Sequence, residues 1–180
     1  RLRVVAGQAR FQAVADAKAD AVIRNDELMA AFRKKAEEKG IHVHIAETAD
    51  DANRIIAEIA KQTGSKRIVK SKSMTAEEIH LNKWLENEGL EVTETDLGEW
   101  IVQLRKEGPS HMVMPAIHLS RYQVADLFSS VTGTEQDAEI QRLVKVARKE
   151  LREKFVQADM GITGANYVIA ETGSIGIATN

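Results

Sequence analysis

The chain has 180 residues, 43% of them hydrophobic and 29% charged, so it is long and apolar enough for one domain with a sizeable core. Its formal net charge of −2 offers no electrostatic footprint for nucleic acid, and no apolar run reaches the roughly 18 to 20 residues of a spanning helix. We therefore expect no nucleic-acid partner, no membrane-spanning segment and a cytoplasmic location. The absence of cysteine excludes disulfides, thiolate nucleophiles and cysteine-ligated iron–sulfur clusters within the chain.

The first part of the chain begins with a long helical pattern. Residues 8–39 are rich in Ala, Lys and Glu with apolar positions at helical spacing, and Gly40 supplies a stop. Alternation of apolar and polar residues predicts a strand over 41–46. A helix over 49–62 and a strand over 67–72 follow, so helix and strand alternate from here.

The middle of the chain continues the alternation. A capping box at Thr75-Ala-Glu-Glu78 predicts a helix to about residue 87, and a strand follows over 90–95. Residues 100–104 form another short apolar segment. Residues 109–115, bracketed by two prolines, are predicted to form a short strand.

The last part contains the longest helical pattern. A capping box at Ser120–Gln123 predicts a helix to about residue 131, and an apolar stripe predicts a second helix over 135–158. Two final strands are predicted over 167–170 and 174–178.

Alternating strands and helices predict an α/β fold with an open, mainly parallel sheet and helices on both faces, because parallel neighbours need helical crossovers. We expect an N-terminal helical segment over 1–40 and an α/β domain over 41–180. The chain starts at Arg1 without methionine and stops on a strand pattern, so we expect it to be a piece of a longer protein.

Ligands of such sheets bind at the carboxyl ends of the strands. Lys70-Ser71-Lys72-Ser73 lies there, between a predicted strand and a helix start, and its ammonium and hydroxyl groups suit a phosphate or carboxylate. The alternative is a solvated strand edge whose lysines discourage edge pairing.

A second strand end carries the segment Thr95-Asp96-Leu-Gly-Glu99. Asp96 and Glu99 are candidates for acid–base chemistry or ligand contact if one of them is desolvated. The alternative is a turn initiated by Asp96.

His111 and His118 flank Pro115 and are candidates to exchange protons near neutral pH or to contact substrate. Neither belongs to a metal-ligand spacing, so we predict no metal site in this chain. Structural or surface roles are the alternative for both histidines.

The final stretch is rich in glycine and hydroxyl groups around one acid. Glu171 follows an apolar run, which would raise its pKa and suit a base or nucleophile. The candidate ligand-contacting residues around it are Gly161, Thr163, Gly164, Thr172, Gly173 and Ser174. A tight hairpin that uses Thr172-Gly173 as its turn is the alternative.

Several long segments carry a family resemblance. They are Val69–Met74, Val92–Glu99, Pro109–His111, Pro115–His118, Leu151–Phe155, Ala158–Asn166 and Ala170–Ser174. In this order and register they resemble successive blocks of the lactate utilization protein B family, over about residues 20 to 175.

The resemblance implies a LUD domain, whose fold is like that of ribose-phosphate isomerases and CoA transferases. It implies a subunit of a bacterial complex that oxidises L-lactate to pyruvate, so the expected partners are the other subunits and a small carboxylate such as L-lactate. In the family, [4Fe–4S] clusters are held by a ferredoxin-like region after the LUD domain, so we expect no cofactor in this chain. Lys70, Lys72 and Ser73 would then hold the carboxylate, with Glu171, Asp96 or His111 transferring protons.

Two other functions are left open. The domain is alternatively a noncatalytic assembly module of that complex. The fold resemblance also suggests a CoA transferase-like enzyme with Glu171 as its nucleophile.

Overall fold

The structure is a computed structural model that describes the backbone of residues 2–178 and the side chains of residues 10–178. Residues 1, 179 and 180, the outer limits of the two predicted domains, lie outside the described residues. The chain forms two compact units, one of Arg1–His44 with Ala165–Asn180 and one of Ile45–Gly164. The predicted boundary at residue 40 stays a prediction.

The elements follow one another in the order α1 Leu2–Ile23, α2 Asn25–Glu37, α3 Ala49–Gln62, β1 Arg67–Lys70, α4 Met74–Glu78, α5 Leu81–Asn87, β2 Glu91–Glu94, α6 Leu97–Arg105, α7 Arg121–Thr132, α8 Ile140–Gln157, β3 Met160–Ile162, β4 Tyr167–Ile169 and β5 Ser174–Gly176.

A parallel three-stranded sheet organises the unit of Ile45–Gly164. β1 is the central strand and pairs in parallel with β2 on one side and β3 on the other. Asp159 joins β3 to β1, because its carboxylate accepts hydrogen bonds from the backbone amides of Arg67 and Lys66 at 3.0 and 3.1 Å. These hydrogen bonds from the backbone amides, together with the hydrogen bond from the Arg67 guanidinium, lower the pKa of Asp159 to about 2. The start of the sheet therefore depends on an ionised carboxylate.

Helices flank this sheet in two apolar clusters. Ile68 of β1 and Val92 of β2 pack with α3 and with Leu81 and Leu85 of α5. A second cluster joins α6, α7 and α8, where the rings of Trp100 and Phe128 lie 5.3 Å apart. The prediction of an α/β fold with an open, mainly parallel sheet is confirmed.

The other unit contains α1, α2 and a hairpin. β4 and β5 pair antiparallel, with Tyr167 opposite Gly176 and Ile169 opposite Ser174. The single helix predicted over 8–39 is instead two helices that meet at Arg24, whose guanidinium pairs with Asp20 and Glu27 across the break.

Two predicted strands are wrong. Residues 41–46 have no ladder partner among residues 2–178, and a strand pattern without a neighbour to pair with stays irregular. Residues 109–115 form a loop that is closed on itself, because the Ser110 amide and hydroxyl both donate to the Pro115 carbonyl, at 3.1 and 2.9 Å.

The helix predicted over 75–87 is interrupted. Its cap is Ser73, whose hydroxyl accepts from the Ala76 amide, and not Thr75. His80 lies in the left-handed region at φ 53° and separates α4 from α5, while Asn53 donates to the Ile79 carbonyl at 2.8 Å. A long-range hydrogen bond thus stabilises a break that no local pattern indicates.

Candidate functional site

The carboxyl ends of the three parallel strands meet at one edge of the sheet. Lys70 ends β1 and lies in register with Glu94 of β2 and Ile162 of β3. The loops that follow carry Ser71, Lys72 and Ser73, then Thr95 and Asp96, then Thr163 and Gly164. The sheet therefore brings together three of the sequence segments that were singled out as candidates.

A buried ion pair lies directly under this edge. The Lys70 ammonium is 2.8 Å from Glu94 Oε1, and their side chains are 1% and 3% exposed. The Asn82 amide also donates to Glu94 Oε1, at 2.5 Å. Within the described residues, neither Lys70 Nζ nor Glu94 Oε2 has an aligned hydrogen-bond partner. The pair is therefore close and buried.

Two further carboxyl groups and a second lysine extend the pair towards solvent. Lys72 Nζ lies 2.7 Å from Glu99 Oε1, with side chains 19% and 5% exposed. Glu77 Oε1 lies 3.9 Å from Lys70 Nζ, and the Glu77 side chain is 20% exposed. We call Lys70, Lys72, Glu77, Glu94 and Glu99 the carboxyl-edge cluster.

The carboxyl-edge cluster contains three carboxyl groups and two ammonium groups, so one proton neutralises it. Burial raises the pKa of Glu77, the negative charges of Glu99 and Glu94 raise it further, and a hydrogen bond to Glu99 adds to the rise; Lys70 opposes it. The carboxyl group of Glu77 therefore binds a proton more readily than an ordinary glutamate, and it lies next to the carboxylate of Glu99.

Hydroxyl groups form the outer rim of the cluster. Ser71 Oγ donates to Thr163 Oγ1 at 2.8 Å, and the Ser71 amide donates to the Ile162 carbonyl. A Cβ atom added to Gly164 would lie 3.2 Å from Ser73 Oγ, so this glycine lets the two loops approach. Gly161, paired with Val69 in the sheet, has open space around it.

Asp96 forms the hydrogen bonds of a helix N-cap. It caps α6, and its Oδ1 accepts from the amides of Gly98 and Glu99 at 3.1 and 3.2 Å. The cap places Glu99 in the first turn of α6, where it meets Lys72. Asp96 thus positions a member of the carboxyl-edge cluster.

The two candidate histidines lie in the loop between α6 and α7. His111 Nδ1 accepts from the backbone amides of Val113 and Met114, both at 3.1 Å. His118 lies between Ser110 Oγ at 2.7 Å and Glu107 at 3.1 Å. Both rings form hydrogen bonds within this loop, and the loop reaches the cluster where Lys72 Nζ approaches the Val113 carbonyl at 3.4 Å.

Glu171 and its neighbours belong to the other unit, where Ala170 to Gly173 form the hairpin turn. The Glu171 side chain is exposed, beside a groove of about 350 Å³ that Leu28 and Met29 also line. The Thr172 carbonyl accepts from Lys39 Nζ, and Ser174 pairs with Ile169. The prediction that Glu171, Thr172, Gly173 and Ser174 share a hollow with Lys70 stays a prediction.

Glu77, Glu94 and Asn82 are not among the candidate residues selected from the sequence. The available signal for Glu94 was its position as the last residue of a strand, beside the last residue of β1. Glu77 and Asn82 reach the cluster from two short helices whose separation at His80 was not predicted.

The residues present do not fit a resident iron–sulfur cluster, since the chain contains no cysteine thiolate. Among the side chains of residues 10–178, no three His, Asp or Glu groups are arranged to hold a metal ion. Over the same part of the chain, no helix is both long enough and apolar enough to cross a bilayer.

Comparison with known proteins adds independent information. Residues 29–180 match the family model described as LUD domain. The chain is 49% identical over 143 residues to lactate utilization protein B of Bacillus velezensis, covering 79% of this chain and 30% of that protein. It is 45% identical over 147 residues to the protein of the same name from Oceanobacillus iheyensis, covering 82% of this chain and 31% of that protein. No solved structure matches.

The chain spans about three tenths of the length of the curated relatives it matches. The family match covers most of the chain, including every member of the carboxyl-edge cluster. The resemblance first noted in the sequence motifs is therefore confirmed, and the chain belongs to the LUD-domain family.

Proposed function

We propose that this chain is the LUD domain of a cytoplasmic iron–sulfur protein that takes part, with other subunits, in the oxidation of L-lactate to pyruvate. The relatives named lactate utilization protein B support the assignment to lactate use. Because the chain spans about three tenths of those relatives, electron transfer through [4Fe–4S] clusters is assigned to residues outside it.

One observation carries the assignment of a site to this domain, namely the carboxyl-edge cluster. Five ionisable side chains from β1, β2, α4, α6 and the loop after β1 converge where parallel sheets of this class bind ligands. Burying charged groups is costly, and a fold core without a polar function is ordinarily apolar. The cluster is therefore the best-supported ligand site of the described residues.

Within this site we assign carboxylate binding to Lys72 and to the hydroxyl groups of Ser71 and Thr163. Lys72 is the more exposed of the two lysines, and its ammonium is shared with Glu99 at the rim. Lys70 is buried against Glu94, so its role is to hold that carboxylate in place. This assignment narrows the anion site predicted from the sequence, which gave both lysines the same role.

Oxidation of lactate to pyruvate releases two protons and two electrons. We assign acceptance of one proton to Glu77, because a carboxyl group with a raised pKa exchanges protons nearer neutral pH than an ordinary one. We assign acceptance of the second proton and of the two electrons to groups outside this chain.

The test is lactate-dependent dye reduction by the full-length protein assembled with its partner subunits. In K72M we expect the KM for lactate to rise about tenfold or more, because a charged hydrogen bond contributes about 1.5–3 kcal/mol. In E77Q we expect kcat to fall with little change in KM. K61M, on an exposed lysine paired with Glu88, and E78Q, beside Glu77 but exposed, are the matched controls.

Wild-type KM in K72M would overturn the carboxylate assignment, and wild-type kcat in E77Q would overturn the proton assignment. Wild-type kinetics in both variants, with the complex still assembled, would favour the noncatalytic assembly module. The CoA transferase hypothesis requires a covalent acyl group on Glu171, and absence of a hydroxamate after treatment with an acyl-CoA and hydroxylamine would reject it.

A further inference from the structure

Helix α8 has one face in the core and an adjoining apolar face in solvent. Leu143, Ala147 and Leu151 recur every four residues and pack in the cluster with α6 and α7. Next to them, Val144 is 40% and Phe155 55% exposed. With Leu97 at the start of α6, 37% exposed, these side chains line a groove of about 660 Å³. A contiguous exposed apolar surface of this kind marks an interaction site.

The groove is positively charged. Helix α8 carries six Lys or Arg residues and two Glu residues, a net charge of +4 in a chain whose net charge is −2. Arg148 and Arg152, one turn apart, line the groove and are exposed, and no carboxylate of the described residues lies within ion-pair distance of either. Elsewhere on the same helix, Arg142 and Lys154 are paired with Glu139 and Glu91. Arg148 and Arg152 therefore place unpaired positive charge at the apolar groove.

The length of the groove suits a helix. Val144 and Phe155 are eleven positions apart on α8, which corresponds to about 16 Å at a rise of 1.5 Å per residue. An amphipathic helix of three to four turns presents an apolar stripe over that length. Two acidic residues one turn apart on such a helix match the spacing of Arg148 and Arg152.

We propose that the α8 groove binds an acidic amphipathic helix of a partner protein, whose apolar stripe fills the groove and whose carboxylates pair with Arg148 and Arg152. Self-association through this face is disfavoured, because it would place two helices of net charge +4 against each other. A bilayer is also a poorer match, since the surface is a groove between two helices in a chain of net negative charge. The proposal concerns a surface separate from the carboxyl-edge cluster and goes beyond the proposed reaction.

The test uses the full chain and a fluorescent 18-residue helical peptide with leucines along one face and two glutamates one turn apart beside them. We expect binding that weakens with salt, and at least a tenfold rise in Kd in R148E/R152E. A peptide with lysines in place of the two glutamates should bind R148E/R152E and not the wild type. The matched control is K149E, which replaces an exposed basic residue of α8 that does not line the groove.

Circular dichroism shows whether each variant keeps its fold. Absence of binding by the acidic peptide, or equal Kd for wild type and R148E/R152E, would overturn the proposal. Sedimentation with anionic vesicles, or a dimer that V144D abolishes, would likewise overturn it and identify a membrane or a second copy as the occupant.

Discussion

The Lys70 ammonium lies 2.8 Å from Glu94 Oε1 in a part of the fold where neither side chain exposes more than 3% of its surface. The two residues end neighbouring parallel strands, so the register of the sheet alone places them side by side. Both charges of such a pair are already removed from water in the folded state. The loss of either partner therefore leaves a buried charge without compensation.

We therefore expect K70M to lower the free energy of unfolding by about 3–5 kcal/mol, because Glu94 loses its counter-charge. The double variant K70M/E94Q should recover more than half of that loss, since no buried charge remains. Urea unfolding measures both. K61M at the exposed Lys61–Glu88 pair should change stability by less than about 1 kcal/mol, and an equally small effect in K70M would contradict the assignment.

The pH dependence of the free energy of unfolding should reveal the raised pKa of Glu77. Because burial raises its folded-state pKa above the ordinary 4.5, the folded chain binds a proton more tightly than the unfolded chain. Its contribution to stability is therefore greatest at low pH and is lost as pH rises through the raised pKa. Urea unfolding from pH 5 upward should show this decline in the wild type and a flatter profile in E77Q.

The control for Glu77 is E78Q, which removes an exposed carboxylate one residue away and should keep the wild-type decline. Identical profiles for E77Q and the wild type would contradict the raised pKa of Glu77.

Variants of Asp96 separate helix capping from catalysis. D96A removes the acceptor of the Gly98 and Glu99 amides and should cost about 1 kcal/mol of stability. D96N keeps an acceptor oxygen but no ionisable carboxyl group, so we expect it to keep both stability and lactate oxidation. A stable D96N without activity would instead support the catalytic role predicted for Asp96 from the sequence.

Two of the glycines selected from the sequence, one in each unit, should respond differently to alanine. Gly173 has φ +63°, and a Cβ there would lie 2.5 Å from the Ala36 amide nitrogen, so G173A should lose at least about 1 kcal/mol from the backbone alone. G161A, with open space around it, should lose none. Urea unfolding measures the loss, and hydrogen exchange of the β4 and β5 amides locates it. Unchanged exchange in G173A would contradict the close packing of the hairpin turn on α2.

Local patterns were sufficient for most of the fold. The capping box at Ser120 and Gln123 forms as predicted, and Gly133 ends α7 at φ +69°, because caps and stops depend on neighbouring residues only. Where a long-range contact decides the backbone, the patterns were wrong. Asn53 stabilises the break at His80, and the three-residue strand β3 exists because it pairs with β1.

The candidate site, like the fold, was predictable from the sequence only in part. Residue type and position at strand ends were enough to select Lys70, Lys72 and Glu99, since parallel strands present their carboxyl ends at one edge. They did not indicate that these lysines are paired with carboxylates, because Glu77, Glu94 and Glu99 approach from other elements.

By itself, the order of residues determined the family, the α/β class and the edge of the sheet at which polar groups collect, because these depend on motifs and on hydrophobic periodicity. Only the tertiary structure decided which charges lie next to each other and which carboxyl group has a raised pKa. Burial and the distances between charges are set by the three-dimensional fold. A pKa such as that of Glu77 therefore depends on side chains contributed by several separate elements.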